Sequence, residues 1–217
     1  NNPGSYFGGA TTGVSGATND GDAAVGFNSE YLATERRQLK TRGPYVQVRA
    51  GDDSLDLTDR GTLEAWINVN RSGATAVPPR QTIVAKGESL GPGNNPINYH
   101  LMLFDDVQEP NNPARHGFHY ARGTPLEADV TWQMSTEELA ALQNTWTHVV
   151  LTSDGSNGEL FLDGVSQGVK TIQQGFLAPS VDGPFWIGGF DHFSSAPKTG
   201  FQKFKGAIDE VAIYPAV

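Results

Sequence analysis

Thr145-Trp146-Thr147-His148-Val149-Val150-Leu151-Thr152-Ser153-Asp154-Gly155, followed after three residues by Glu159-Leu160-Phe161-Leu162-Asp163-Gly164, is the stretch from which the fold can be read. Residues 147–152 are rich in β-branched and apolar side chains and end at the turn pair Asp154-Gly155, the punctuation of a strand. Residues 159–162 then meet Asp163-Gly164, a dipeptide that tolerates the positive φ of a tight hairpin turn. This reads as consecutive antiparallel strands.

The same signature recurs on both sides. Upstream, Tyr45-Val46-Gln47-Val48-Arg49 alternates, and Gly61-Thr62 opens Leu63-Glu64-Ala65-Trp66-Ile67-Asn68-Val69 with four apolar residues in phase, as a half-buried strand requires. Residues 81–85, 100–104 and 117–120 read as further strands, and downstream so do 185–189 and 207–214. One helix is expected near 135–144, where Ser135-Thr136-Glu137-Glu138 has the spacing of a capping box ahead of Leu139-Ala140-Ala141-Leu142,. Short strands at fairly regular spacing predict an all-β chain: a two-sheet antiparallel β-sandwich of jelly-roll type. No internal repeat and no linker divides the chain, so residues 1–217 are expected to form one domain,.

Bulk properties exclude several function classes. The 26 glycines and 13 prolines are scattered without period, as turns between strands would scatter them,. A net charge of −9 with no dense Lys/Arg cluster argues against nucleic acid,; the stretch Arg36-Arg37-Gln38-Leu39-Lys40-Thr41-Arg42 reads as a solvated loop face. The absence of cysteine removes disulfides and thiolate metal sites,. No run approaches the ~20 apolar residues of a membrane helix, so membrane insertion is not expected. The opening Asn1-Asn2-Pro3-Gly4 does not read as a signal peptide,. The expectation is a module excised from a longer exported protein, secreted or held at a cell surface.

Three signatures, in order, resemble the laminin G-like domains of the concanavalin A-like lectin and glucanase superfamily. They are Gly61-Thr62-Leu63-Glu64-Ala65-Trp66-Ile67, the Trp146-Thr147-His148-Val149 strand leading to Leu162-Asp163-Gly164, and Trp186-Ile187-Gly188-Gly189 followed by Gly206-Ala207-Ile208-Asp209-Glu210-Val211. The segment Pro3–Gly9 is similar to the stretch just after such a domain's first strand. Departures lie in three enlarged connections, 29–44, 86–99 and 105–116, where private specificity is expected. The resemblance implies a concanavalin A-like sandwich that binds glycan, protein or calcium; related folds include glycosidases and lyases, so architecture is implied more firmly than function.

Among catalytic options, glycoside hydrolysis needs two carboxylates about 5–5.5 Å or about 6.5–9.5 Å apart across a cleft. The adjacent pairs Asp209-Glu210 and Asp105-Asp106 would point to opposite faces of a strand, and Glu127 with Asp129 lacks a third carboxylate in step. The chain is therefore read as a non-enzyme. Calcium is implied by the resemblance: Asp209 lies where relatives use an aspartate of the final strand, with partners in Asn19-Asp20-Gly21-Asp22. Asp20 and Asp22 offer the hard oxygens that calcium takes, while the plain alternative is an Asx turn with Asp209 bonded to backbone.

Sugar recognition needs aromatic faces and polar groups. Trp66, Trp146, Trp186 and Phe161 sit inside strand motifs and are read as core. Trp132 lies outside them, either as a ligand contact or packed on Leu139 or Leu142. Phe190-Asp191-His192-Phe193 fills a loop after Gly189 and is the expected ligand edge, with Tyr99-His100 and His119 as further candidates. His148 is read as structural. The leading expectation is a carbohydrate-binding, lectin-like module stabilised by structural calcium. The alternative is an adhesive or structural domain of a bacterial surface or phage tail protein whose partner is another protein.

Overall fold

A computed structural model describes residues 4–18, 20–27, 43–49, 55–57, 60–70, 80–87, 97–105, 116–122, 130–172, 183–190 and 202–215. Among these, the chain runs through β1 (Gly4–Phe7), β2 (Thr11–Ser15), β3 (Ala23–Phe27), β4 (Tyr45–Val48), β5 (Gly61–Val69), β6 (Arg80–Gly87), β7 (Ile97–Asp105) and β8 (His116–Ala121). It continues with β9 (Val130–Gln133), helix α1 (Thr136–Ala141), β10 (Trp146–Ser153), β11 (Asn157–Leu162) and β12 (Val165–Thr171). The last strands are β13 (Phe185–Ile187), β14 (Gly189–Phe190), β15 (Gln202–Lys203) and β16 (Gly206–Tyr214).

Two seven-stranded antiparallel sheets face each other, in the orders β1-β4-β13-β6-β7-β8-β9 and β12-β11-β10-β5-β16-β3-β2; β14 and β15 form a separate ribbon. The predicted all-β sandwich with one short helix is the observed architecture. The opening motif forms β10 and β11, paired from Val149↔Leu162 to Ser153↔Gly158. Asp163 and Gly164 turn the chain at φ 49° and 77°, positive at both positions as a two-residue hairpin demands.

The second sheet obeys period-2 logic. Leu63, Ala65, Ile67 and Val69 of β5 and Val149 and Leu151 of β10 are buried in the core between the sheets. Glu64, Trp66, Asn68, Trp146, His148 and Val150 alternate with them and are half-buried on the outer face. The first sheet differs: every residue of β7 and β8 is buried. A second apolar cluster of Tyr45, Ala85, Ile97, Trp186 and Phe190 lies apart from the main one. Strands covered on both faces do not need alternation.

Helix α1 is capped as expected: the Ser135 hydroxyl accepts from Glu138 N and the Glu138 carboxylate accepts from Ser135 N. Among the described residues, six strands went unread in the sequence: β1, β2, β3, β9, β12 and β15. Residues 4–7, expected to follow a first strand, are themselves a strand paired with β4. The sites expected at Asp191, His192 and Phe193 lie outside the described residues, as do Asp106, Glu127 and Asp129.

Candidate functional site: the outer face of the second sheet

Most of the expected ring contacts turn out to be packing residues. Phe190 is 0% exposed; its ring meets His100 at 5.2 Å and Trp186 edge-on at 5.9 Å. Tyr99 is buried in the main core, and its hydroxyl donates to the Leu55 carbonyl at 2.9 Å. His100 is buried with Nε2 at 2.9 Å from the Thr82 hydroxyl. His119 is buried against Phe104 with Nδ1 3.1 Å from Thr131 Oγ1. Trp132 resolves to its packing alternative: it is 2% exposed, shares the core with Leu139 and Leu142, and donates its indole N–H to the Gly168 carbonyl at 2.7 Å. As packed, none of these rings presents a face to solvent.

The converse correction concerns Trp66, Trp146 and Phe161, read as core but half-buried on the outer face of the second sheet. The cause is parity. Each alternates with an inward residue, and a strand motif marks a strand without saying which phase faces in.

Trp146 borders a groove of about 350 Å³ lined also by Val14, Ser15, Asn68, Asn70 and the small residues Gly26, Gly206 and Ala207. That volume falls within the ~300–1,000 Å³ of small-ligand pockets. Small residues make the groove possible. A Cβ on Gly26 would come 2.8 Å from both Thr11 Oγ1 and Val14 Cγ2. Gly206 sits at φ 142°, and a Cβ there would run into the Asn68 carbonyl oxygen. Asn68 pairs with Trp146 on one side and Ala207 on the other. A ring, amides and a hydroxyl therefore share one concavity.

One register step along the same face, Trp66 pairs with His148 and with Asp209. Beyond Asp209 the β16–β5 ladder shifts register: Asp209 faces Trp66 and Ala212 faces Glu64, so β16 carries one extra residue. Glu210 occupies this bulge with φ 46°, a left-handed conformation that the bulge imposes on a non-glycine. The bulge aims Glu210 at Asp20 and Asp22. The three exposed carboxylates offer oxygens within 4.8 Å of one another. Of the residues expected at a metal, Asp20 and Asp22 thus come together with Glu210. Asp209 is buried behind them and accepts from Ala17 N at 2.8 Å.

Electrostatics bind the four acids into one group. The Thr18 hydroxyl donates to Asp20 at 2.7 Å and, with the Asp22 backbone N–H, holds the Asp20 carboxyl below the usual carboxylate range. Its hydrogen bond with Asp20, then desolvation and the charges of Asp20 and Asp209, push Asp22 up. Glu210 is pushed up first by the charge of Asp22. Oxygen-only donors suit a hard cation such as calcium. The space beside them exists because residue 16 is glycine: a Cβ there would lie 2.9 Å from Asp209 Oδ2 and 3.4 Å from the Asp22 carbonyl oxygen and Oδ1. The residues present therefore fit a calcium ion. Ser15 of the groove and Gly16 of this cradle are consecutive, so groove and acid cluster share a wall.

No described helix is long and apolar enough to cross a membrane; this says nothing of barrel-forming strands. A search of curated proteins finds no match. Among solved structures, the chain is similar to domain 4 of AbnA, an extracellular arabinanase from Geobacillus stearothermophilus in complex with arabinotriose. There the identity is 14%, the TM-score 0.55, and the alignment covers 98% of this chain and 82% of that one. It is also similar to the binding domain of Paraclostridial Mosquitocidal Protein 1, at 12% identity and TM-score 0.60, covering 100% of this chain and 45% of that one. The binding domain of botulinum neurotoxin serotype D matches at 12% identity and TM-score 0.51, over 98% and 43% of the two chains. The chain thus spans under half the length of the two toxin domains. At such identities the likeness is one of fold. A family model described as the concanavalin A-like lectin/glucanases superfamily matches residues 40–217, and on that match the chain belongs to the concanavalin A-like lectin/glucanase superfamily.

Proposed function

We propose that this chain is a non-catalytic glycan-binding module of an exported protein, with its ligand in the groove beside Trp146. One observation carries the reading: a half-buried indole borders a concavity whose walls supply Asn68, Asn70 and Ser15. Sugars are bound by an apolar ring against C–H faces and by amides and hydroxyls that exchange hydrogen bonds with ligand hydroxyls. The arabinotriose bound to the arabinanase domain is a fold-level precedent,. Calcium belongs to the same reading, held by Asp20, Asp22 and Glu210 with Asp209 behind. It offsets the carboxylate repulsion and stiffens the 16–22 segment that continues from the groove wall.

The test is a glycan-array and polysaccharide-pulldown screen, with calcium and again with chelator. The expected result is a hit that weakens in chelator and is lost in Trp146→Ala while the melting curve stays put. Silence across all glycans from a folded protein would overturn the proposal. A protein-docking function, the second reading, is favoured by β12, an edge strand exposed along its length with Val165 and Val169 at 64% and 60%. That reading expects Val169→Lys to abolish capture of a protein partner.

A further inference from the structure

Beyond the groove, the same outer face of the sheet continues past Asn68 and Trp146. The next step along β10 and β5 holds His148 and Trp66, whose rings stack at 4.8 Å and 20°. His148 Nε2 lies 2.7 Å from Glu64 Oε1, the two side chains being 25% and 28% exposed. Backbone locks hold the histidine in place: His148 N donates to Asp163 Oδ1 at 2.8 Å, and Asp163 N donates to the His148 carbonyl at 2.9 Å. On β16, the exposed Tyr214 hydroxyl lies close enough to Glu64 for that carboxylate's charge to push its pKa up.

Of the two ring nitrogens of His148, Nε2 is engaged by Glu64, which leaves Nδ1 to exchange a hydrogen bond with a ligand as donor or acceptor,. Among the described residues neither His148 Nδ1 nor the Trp66 indole N–H has a hydrogen-bond partner. The stacked pair therefore offers two ring nitrogens, the Trp66 indole N–H as a donor and His148 Nδ1, on neighbouring rings. Two carboxylates flank it, Glu64 and Asp209, on a chain of net charge −9. Such a surface reads hydroxyls and repels anions.

Resting on the glycan reading above, we propose that Trp66, His148, Glu64 and Tyr214 form a second subsite continuous with the Trp146 groove. The ligand is then a neutral oligosaccharide chain longer than a disaccharide, and acidic polysaccharides are rejected. Trp146 anchors one sugar by its ring; the Trp66–His148 step reads the hydroxyls of a further sugar by its ring nitrogens.

The experiment is titration calorimetry of the whole chain with arabino-, xylo- and cello-oligosaccharide series from dimer to hexamer, and with polygalacturonate as the acidic probe. Two variants keep a ring against His148: Trp66→Phe removes the indole N–H together with part of the ring face, and Glu64→Gln removes the charge beside His148. Affinity is expected to rise beyond the dimer. Each variant is expected to weaken the longer oligomers by about 2–10-fold, the worth of one hydrogen bond, and to leave the dimer unchanged, with melting temperatures matching the parent. Binding that Trp146→Ala abolishes, but that both variants leave intact at every length, would overturn the second subsite alone. Preferential binding of polygalacturonate would overturn it as well. Silence of every oligosaccharide would overturn the glycan reading and the subsite together.

Discussion

His119 is a base stored in a place that cannot hold its charge. Burial, and then the positive charge of Arg80, lower its pKa to about 4, and its Nε2 is buried with no partner. The unfolded chain takes up this proton near pH 6.5 and the native protein only near 4, so between these values the unfolded state binds more protons. Stability therefore falls as pH drops through that window, by on the order of 3 kcal/mol when the descent is complete. Urea unfolding at pH 7, 5.5 and 4 should show this slope, and His119→Gln should flatten it. An unchanged slope in the variant would remove His119 as its source. The two unlike tryptophans make a second residue-level contrast. Trp132→Ala empties core space and frees the Gly168 carbonyl, at an expected cost of ~3–5 kcal/mol. Trp146→Ala, on the outer face, should cost under ~1 kcal/mol while removing ligand; equal losses in thermal melts would contradict the assignment.

At the scale of elements, β16 carries the informative irregularity. Ile208, Val211 and Ile213 pack on the core side, spaced three and then two apart. That break in period-2 was visible in the sequence and is the mark of an extra residue; read as an unbroken strand, Asp209 and Glu210 could only point apart. Asp22 and Glu210 both keep their protons to higher pH than the unfolded chain does. As pH rises through the carboxylate range they therefore subtract from stability, and a bound cation restores it. The expectation is that calcium raises the melting temperature at pH 7, and that Glu210→Gln raises it in chelator and blunts the calcium response. A calcium response undiminished in Glu210→Gln would put the ion elsewhere.

Over the whole molecule, neighbours in the sheets come from distant parts of the chain: β13 lies between β4 and β6, and β16 between β5 and β3. Loops must close before such pairings are rewarded, so refolding is expected in milliseconds to seconds or slower. A sub-millisecond phase carrying full amplitude in stopped-flow fluorescence would contradict that. The sandwich was legible because β5, β10, β11 and β16 pair local alternation with strong turn chemistry. Strands such as β1, β2 and β12 were not, since their exposed residues carry no burial pattern to read. The site was legible only in part. Asp20 and Asp22 were singled out through the resemblance, and the structure brings them together with Glu210. The groove was missed because it is made by absent side chains, Gly26 and Gly206, and by the outward phase of tryptophans that a strand motif leaves undetermined. His100, His119 and Phe190 suggested a ligand edge by composition, yet β7 and β8 are buried along their whole length and all three rings serve as filling.

The bulge has a hereditary corollary. Without Glu210 the order Ile208, Asp209, Val211, Ala212, Ile213 alternates inward and outward without a flaw, and every partner on β5 keeps its place. Loss of one codon would then erase the third acid without disturbing the hydrophobic ladder, and gain of one codon would install it in a single event. Insertion and deletion, more than substitution, are the steps by which descendants of this chain would acquire or shed the cluster of three acids.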